Sequence, residues 1–485
     1  MLILGAGPAG LAAAARLLER GSGKVRVSLM DLSASVGGKA ASYRTDDGLL
    51  VEHGWHMVVG FYENLPSLLR WAGIEPGRAL ATMGGRGYTF EPWHGRLHTT
   101  SSRGGKLAVA ADFAAYEGLP LEDRGNMARV MAEAFRVALS GEDLTRHDDI
   151  CFDSWAVERG LRRHVTHYSI FRFLRLAYFN FPEQISAYHM LETMRKMATS
   201  EAAELYVARG GTTEVLWNPL AGALRARGAT FAPRVCATDF VYEADRIVGV
   251  RVADARGVGP LARERLPEDA LPVVPGTERL VGDFDAVIST VPVFALRLMN
   301  AGDTRLWRSA YFRRFQNLRG VATLSFTVLT ERPVGHGYFA PVHGFPAPLG
   351  FFVDMKPYWP EFTRDPGVGS VLVFGGQETG FESWTDEQIA SFTLDNVARA
   401  PGIGDVRRAG IVRMEMHRNR MPWERLLLAE PGVHPFRPSV LTPFQNLYLA
   451  GDWVRNATSL VSMEGAVTSG FEAADALLAR GGSGA

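Results

Sequence analysis

The sequence predicts an α/β (α+β) fold with two interleaved domains, and three observations carry that prediction. Residues 2–18 read as a short apolar strand, a glycine turn and a helix. Residues 447–478 read as a strand, a Gly-Asp turn, a loop and a second helix. Between them, residues 210–290 alternate helical and strand-like patterns, as a segment completing the same sheet would.

The chain has 485 residues, which on length alone implies two or three domains in series. The motifs instead predict two domains, each interrupted by the other. Hydrophobic residues at 47 % and charged residues at 21 % exclude a disordered chain. Lys plus Arg and Asp plus Glu both number 52, so the electrostatic ground for nucleic-acid binding is absent, although a local basic patch stays open. Only Lys24, Lys39, Lys106, Lys196 and Lys356 are lysines, a bias that fits genome composition. Cys151 and Cys236 make neither a disulfide framework nor a zinc set, and no metal site is expected. Met1 runs directly into Leu2-Ile3-Leu4 without a basic n-region, and no apolar stretch is long enough to span a bilayer. The expected location is therefore cytoplasmic, with peripheral membrane contact left open.

Each element then has its own justification. Leu2-Ile3-Leu4 is the first strand, and Gly5-Ala6-Gly7-Pro8-Ala9-Gly10 follows at once. Leu11, Ala14, Ala15 and Leu18 recur at helical spacing. Strand, turn and helix together make a bare G-x-G-x-x-G into a dinucleotide fingerprint. Gly5 permits the tight turn, Gly7 the approach of a pyrophosphate, and Gly10 close packing of helix on strand. The helix N-terminus offers free N–H groups to phosphates. Val25, Val27 and Leu29 alternate into a second strand ending at Asp31, which lies 21 residues beyond Gly10, where a carboxylate binds ribose hydroxyls. This pattern alone does not separate FAD from NAD.

Val36-Gly37-Gly38-Lys39 resembles the extension found in FAD enzymes of the amine oxidase and carotene desaturase superfamily. Gly38 lets backbone approach a cofactor, and Lys39 offsets pyrophosphate charge. At the far end, Leu447 to Ala450 is an apolar strand closed by Gly451-Asp452, and Ser462-Met463-Glu464-Gly465-Ala466 opens the last helix. Asp452 is expected to hydrogen-bond the ribityl or phosphate part of FAD. The helix N-terminus near Met463 is expected to face the flavin pyrimidine. In the middle, Gly210-Gly211 precedes a helical pattern, Phe231 to Val235 and Ile247 to Val252 look like strands, and Phe284 to Ser289 reads as a buried strand stopped by Pro292.

Four stretches resemble plant- and cyanobacterial-type phytoene and ζ-carotene desaturases, within the FAD-dependent amine oxidase superfamily: residues 5–14, 35–65, 435–453 and 462–470. With the middle segment they cover less than half of the chain. The resemblance implies noncovalent FAD in a Rossmann-like domain built from 1–85, 201–290 and 440–485, and a substrate domain of mixed sheet plus helices built from 86–200 and 291–439. Its implied FAD contacts are Gly5, Gly7, Pro8, Ala9, Gly10, Asp31, Gly37, Gly38, Lys39, Gly54, Trp55, His56, Val235, Gly451, Asp452, Ser462 and Met463. Asp31 stands where the superfamily more often has Glu. Cysteinyl attachment of flavin near the C-terminus is excluded, since no Cys follows Cys236.

The resemblance also implies removal of hydrogen across a C–C bond of a lipophilic or natural-product substrate, with a carotenoid-like polyene as the first candidate and a quinone or dioxygen as electron acceptor. The flavin carries the hard step, so missing nucleophile motifs are uninformative. Glu52-His53-Gly54-Trp55-His56 is expected close to the isoalloxazine, with Trp55 where such desaturases usually have Leu. His56 reads equally as a pocket wall steering substrate or proton and as a packing histidine; His53 reads as exposed or structural. Superfamily amine oxidases place a lysine near flavin N5, and Lys356, after the apolar run Leu349 to Met355, is the one lysine suited to that role; a strand-end surface lysine is its alternative. Three rivals remain: oxidation at C–N, redox-neutral carotene isomerisation, and a non-enzymic prenyl-lipid escort, against which the intact glycine and acid set argues.

In the substrate domain, residues 86–200 read as mostly helical, with Phe113 to Tyr116, Met127 to Leu139 and Phe171 to Phe181 rich in aromatics and Met. Such stripes are core or an apolar tunnel. Val321 to Leu329 and Ser370 to Phe374 are strand-like. Arg162, Arg163 and His164 read as a solvated helix face or a membrane-surface contact.

Overall fold

Five short strands form one sheet in the computed structural model: β1 (Leu2–Leu4), β2 (Ser28–Asp31), β3 (Thr230–Pro233), β4 (Val287–Ser289) and β5 (Leu447–Leu449). The residues described are 1–21, 23–83, 86–91, 95–101, 119–166, 178–181, 183–200, 204–258, 266–335, 342–343, 345 and 347–482. The strand order is β3-β2-β1-β4-β5, and every neighbouring pair is parallel. Helices cover one face of this sheet, and the antiparallel strands 235–243 and 246–254, with residues 293–318, cover the other, which is why β1, β4 and β5 are apolar and buried almost throughout. Strand order reverses between β1 and β4, and their carboxyl ends open a crevice there.

Two helices pack side by side against this sheet, α1 (Pro8–Arg20) and α2 (Met463–Gly482). The contact is close because Gly470 lacks a side chain: a Cβ there would stand 2.3 Å from the Ala9 carbonyl oxygen. Ile3, Leu11, Ala12, Ala13, Val467, Ala473 and Ala474 fill the layer between helices and sheet.

A second, mixed sheet has seven strands in the order 411–419, 323–330, 370–377, 349–354, 342–343, 86–91, 96–101. All its pairs are antiparallel except 342–343 with 86–91. Every residue of 323–330, 349–354 and 370–377 is buried. The first sheet draws on residues below 86, within 201–290 and above 439, and the second on 86–101 and 323–419.

The structure corrects three local expectations. Residues 86–91 and 96–101 form a strand pair at the start of a piece expected to be mostly helical, because 86–91 completes the second sheet beside 342–343; tertiary pairing overrides local pattern here. The expected strand 231–235 breaks at Arg234, whose φ is +57°, so that Val235–Glu243 leaves β3 and enters a separate antiparallel sheet. The helical pattern after Gly211 begins as a π-helical turn, Thr213–Trp217, before Asn218–Ala226 continues as α-helix. Met127 to Leu139 is helical up to Ala138, within Leu121–Ala138, with Leu139 as its C-cap. Phe113 to Tyr116 and most of Phe171 to Phe181 lie outside the described residues.

Arg162, Arg163 and His164 are held by acids. Arg162 lies 2.7 Å from Glu122, Arg163 lies 2.8 Å from Asp153, and His164 Nε2 lies 3.1 Å from Asp123. Among the described residues no helix is long and apolar enough to cross a membrane.

Candidate cofactor site

A cavity of about 300 Å³ opens where β1 and β4 end. Its walls include Leu4, Gly5 and Thr290 at those strand ends. Gly5 adopts φ +106°, and a Cβ there would meet Thr290 Oγ1 at 2.3 Å. Thr290 Oγ1 donates to the Leu4 carbonyl at 2.9 Å and so locks the turn. A Cβ on Gly10 would stand 2.0 Å from the Gly5 carbonyl oxygen, whereas one on Gly7 would have only ordinary contact, 3.8 Å from the Gly38 Cα. Gly10 therefore serves packing, and Gly7 leaves room between two backbone segments at the N-terminus of α1.

Asp31 ends β2 and faces the same cavity. Its carboxylate accepts from the Ala6 N–H at 2.5 Å and the Ser33 N–H at 2.7 Å. Burial outweighs those two donors and pushes Asp31 up to about 6. Gly37 stands behind the lining, where a Cβ would strike the Trp217 ring at 2.5 Å. The Trp217 indole N–H in turn donates to the Ala40 carbonyl at 2.7 Å. Lys39 donates to Asp452 at 2.8 Å, joining the N-terminal and C-terminal walls.

The C-terminal wall has its own supports. Ser469 Oγ accepts from the Gly451 N–H at 2.8 Å. Arg437 is fully buried and donates to the carbonyls of Asp452, Trp453 and Val454 at 3.0, 3.2 and 2.9 Å. Burial pulls its guanidinium down to about 10. Met463 opens α2 at the cavity, and the next residue turns away from it: Glu464 accepts from the N–H groups of Glu63, Asn64 and Leu65 and caps the helix Asn64–Trp71.

The part of the cavity next to the second sheet is mostly apolar, with Trp55, Met57, Tyr178, Phe179, Trp423, Leu426 and Leu427 in its walls. His53 lies there, 5 % exposed, and burial holds its imidazole well below the usual range, so it is neutral. The exposed reading of His53 is thereby excluded. The Asn419 side chain donates to the His53 carbonyl at 2.7 Å. His56 Nε2 lies 2.8 Å from the Lys39 carbonyl oxygen, and its Nδ1 lies 3.7 Å from Glu52. Among the described residues, His53 Nε2, Trp55 Nε1 and Trp423 Nε1 have no hydrogen-bond partner. Buried polar atoms usually have one, so these donors and acceptors suit a bound polar group.

Of the residues read from the sequence as FAD contacts, all except Gly10 and Gly37 line this cavity. Lys356 is not brought to it; its ammonium donates to the Val368 carbonyl. Sequence reasoning missed Glu424, which lines the cavity, accepts from the Met421 N–H at 3.2 Å and is pushed by burial up to about 7. Burial, with Glu424 and Asp31 nearby, also pushes the Tyr43 phenol up. Trp423-Glu424 carries no periodic signal, so nothing in the local pattern marks it. Arg437 falls within residues 435–453, whose resemblance gives it no role. Among the described residues no cluster of His, Cys, Asp or Glu could hold a metal ion. A glycine cradle, an acid at the end of β2 and unpaired buried donors together fit an extended dinucleotide such as FAD.

A sequence profile described as flavin containing amine oxidoreductase matches residues 8–478. A probable zeta-carotene desaturase of Synechococcus elongatus is 27 % identical over 98 % of this chain and 98 % of its own length. The 15-cis-phytoene desaturase of the same organism is 23 % identical over 99 % of this chain and 95 % of its own length. Among solved structures, an oxidoreductase from Methanosarcina mazei superposes with a TM-score of 0.70 at 15 % identity, covering 98 % of this chain and 99 % of that one. A putrescine oxidase triple mutant superposes with a TM-score of 0.68 at 16 % identity, covering 99 % and 98 %. Both structural likenesses show a shared fold.

Proposed function

This chain belongs to the flavin-containing amine oxidoreductase family and is an FAD-dependent oxidoreductase, and from that premise we propose that it dehydrogenates a lipophilic polyene of the carotenoid class at a carbon–carbon bond. The observation that supports this reading is the apolar wall of Trp55, Tyr178, Phe179, Trp423, Leu426 and Leu427, beside a cavity in which Lys39, the only lysine among the described lining residues, is tied to Asp452. Bound FAD supplies the hydride acceptor. The work of the protein is then to hold the cofactor, exclude water and align a C–H bond. Gly5, Gly7, Asp31 and Gly38 would hold the nucleotide end, and Gly451, Asp452 and Met463 the other. The apolar wall excludes water, and neutral His53 adds no charge next to an uncharged substrate. The desaturase relatives are named for C–C dehydrogenation of such polyenes. A quinone or dioxygen then takes the electrons, and the substrate is drawn from a lipid surface.

The test is anaerobic. FAD-loaded protein is mixed with phytoene or ζ-carotene in phosphatidylcholine vesicles. Loss of oxidised-flavin absorbance, with a product carrying one more double bond and turnover on adding a quinone, is the expected result. Flavin reduction by amines with peroxide formation in air, or polyene isomerisation by the pre-reduced protein without net oxidation, would replace this reading with a rival. Purified protein without flavin absorbance that takes up no FAD would end all of them.

A further inference from the structure

We propose that Phe179 sets how far a substrate enters the cavity, as a fixed aromatic stop where the cavity meets the seven-stranded sheet; the substrate's class, though not the stop itself, rests on the dehydrogenation proposed above. Phe179 has φ +54°, in the left-handed region that a phenylalanine rarely occupies. Such a conformation persists only where the surroundings over-determine it, and it clusters at ligand clamps.

The surroundings here do so twice. Gln377, 3 % exposed at the end of strand 370–377, donates from Nε2 to the Phe179 carbonyl at 2.7 Å. The same amide reaches Gln184 Oε1 at 3.0 Å, and Gln184 Oε1 also accepts from the Phe181 N–H at 2.9 Å. The carbonyl of the left-handed residue and the turn after it are thus tied to the sheet.

The ring is seated as well. Its centroid lies 6.1 Å from that of Phe351, which lies 5.0 Å from Trp55. Phe351 is fully buried behind the two rings that face the cavity. Gly375 makes the space: a Cβ there would stand 2.5 Å from the Phe351 ring and 3.4 Å from the Phe179 ring. Neither the Phe179 backbone nor its ring can swing aside without breaking the glutamine clamp or leaving that seat. A linear apolar molecule entering the cavity would abut this ring, and its abutting end would fix which carbon lies beside the cofactor.

The test reads binding, so it does not depend on turnover. FAD-loaded wild type, Phe179→Ala and Phe179→Leu are titrated with linear prenyl alcohols of increasing length, following the perturbation of the flavin absorbance. In the wild type, affinity rises with length and then stops rising. In Phe179→Ala the stop moves to a longer member, whose affinity increases about tenfold, roughly the effect of burying an additional one to two methylenes. Phe179→Leu shifts less, and it decides the matter if the alanine variant does not retain FAD. The same length profile in wild type and variants, or no length dependence in the wild type, overturns the proposal. A shifted profile in a protein that oxidises no polyene keeps the stop and removes the dehydrogenation reading.

Discussion

The Lys39 ammonium lies 2.8 Å from the Asp452 carboxylate, so one ion pair closes the cavity between segments at opposite ends of the chain. Both side chains are mostly buried, at 20 % and 15 % exposure, which makes the pair more consequential than a surface bridge. His56, bonded to the Lys39 carbonyl, fixes the same segment from the other side. Lys39→Met leaves Asp452 without its cation and is expected to lower stability by about 1–3 kcal/mol and to weaken FAD binding. Lys39→Met combined with Asp452→Asn should cost less than the two single changes added together, because the uncompensated charge is gone. Thermal unfolding and FAD titration of the four proteins check this, and strict additivity would contradict it.

Gly7 and Gly10 belong to one motif but face different things. Gly10→Ala drives a methyl group against the Gly5 carbonyl at 2.0 Å, between helix and strand. It should destabilise the apoprotein by at least 2–3 kcal/mol. Gly7→Ala finds nothing nearer than the Gly38 Cα at 3.8 Å, an ordinary contact, and its backbone φ of −76° suits any residue. It should leave apoprotein stability within about 1 kcal/mol while reducing FAD affinity more than tenfold. Paired measurements of apoprotein unfolding and FAD binding separate the two, and equal apoprotein losses would count against the assignment.

Arg437 acts through the backbone of the turn that it holds. Replacing it with Met leaves the carbonyls of Asp452 and Trp453 unpaired in a buried setting, at about 1–3 kcal/mol for each left unsatisfied, while Val454 keeps its bond from the Asn456 amide. Arg437→Lys should rescue little, since an ammonium cannot reproduce a planar fork spread over three acceptors. The expected outcome is weak FAD loading in both variants. A lysine variant with wild-type loading and unfolding temperature would assign the effect to charge alone.

The parts of this architecture that repeat locally were legible from residues alone. The strand, turn and helix at 2–20, Asp31 at the end of β2, and the strand and helix at 447–482 all carry apolar periodicity with glycine punctuation. Residues 86–101 were misread because their strand character comes from a partner more than 200 positions away. The site's supports were hidden for the same reason. Glu424 and the Gln377 clamp on Phe179 are single contacts between distant segments with no period, and Glu464 sits in a quoted motif yet caps a helix about 400 residues earlier. Lys356 follows the strand Leu349–Asp354 in a turn and donates to the Val368 carbonyl, away from the cavity, the strand-end position of its alternative reading.

Glu424 makes the stability of the apoprotein depend on pH in a stated direction. Its carboxyl ordinarily titrates at 4.5 and is pushed by burial up to about 7 in the folded chain. Between those values the folded protein holds a proton that the unfolded chain has released, so stability falls as pH rises from 4.5 to 7 and changes little on this account outside that window. The full loss corresponds to roughly 3 kcal/mol. Asp31 acts in the same direction, from 3.8 to about 6, so it accounts for the lower part of the decline. Glu424→Gln removes the Glu424 contribution: its unfolding midpoint should gain on the wild type as pH rises from about 4.5 to 7, and the two curves should run parallel below about pH 4.5 and above about pH 7. Thermal unfolding of the two apoproteins across this range measures the difference. Parallel curves above pH 6 would show that Glu424 is already ionised there.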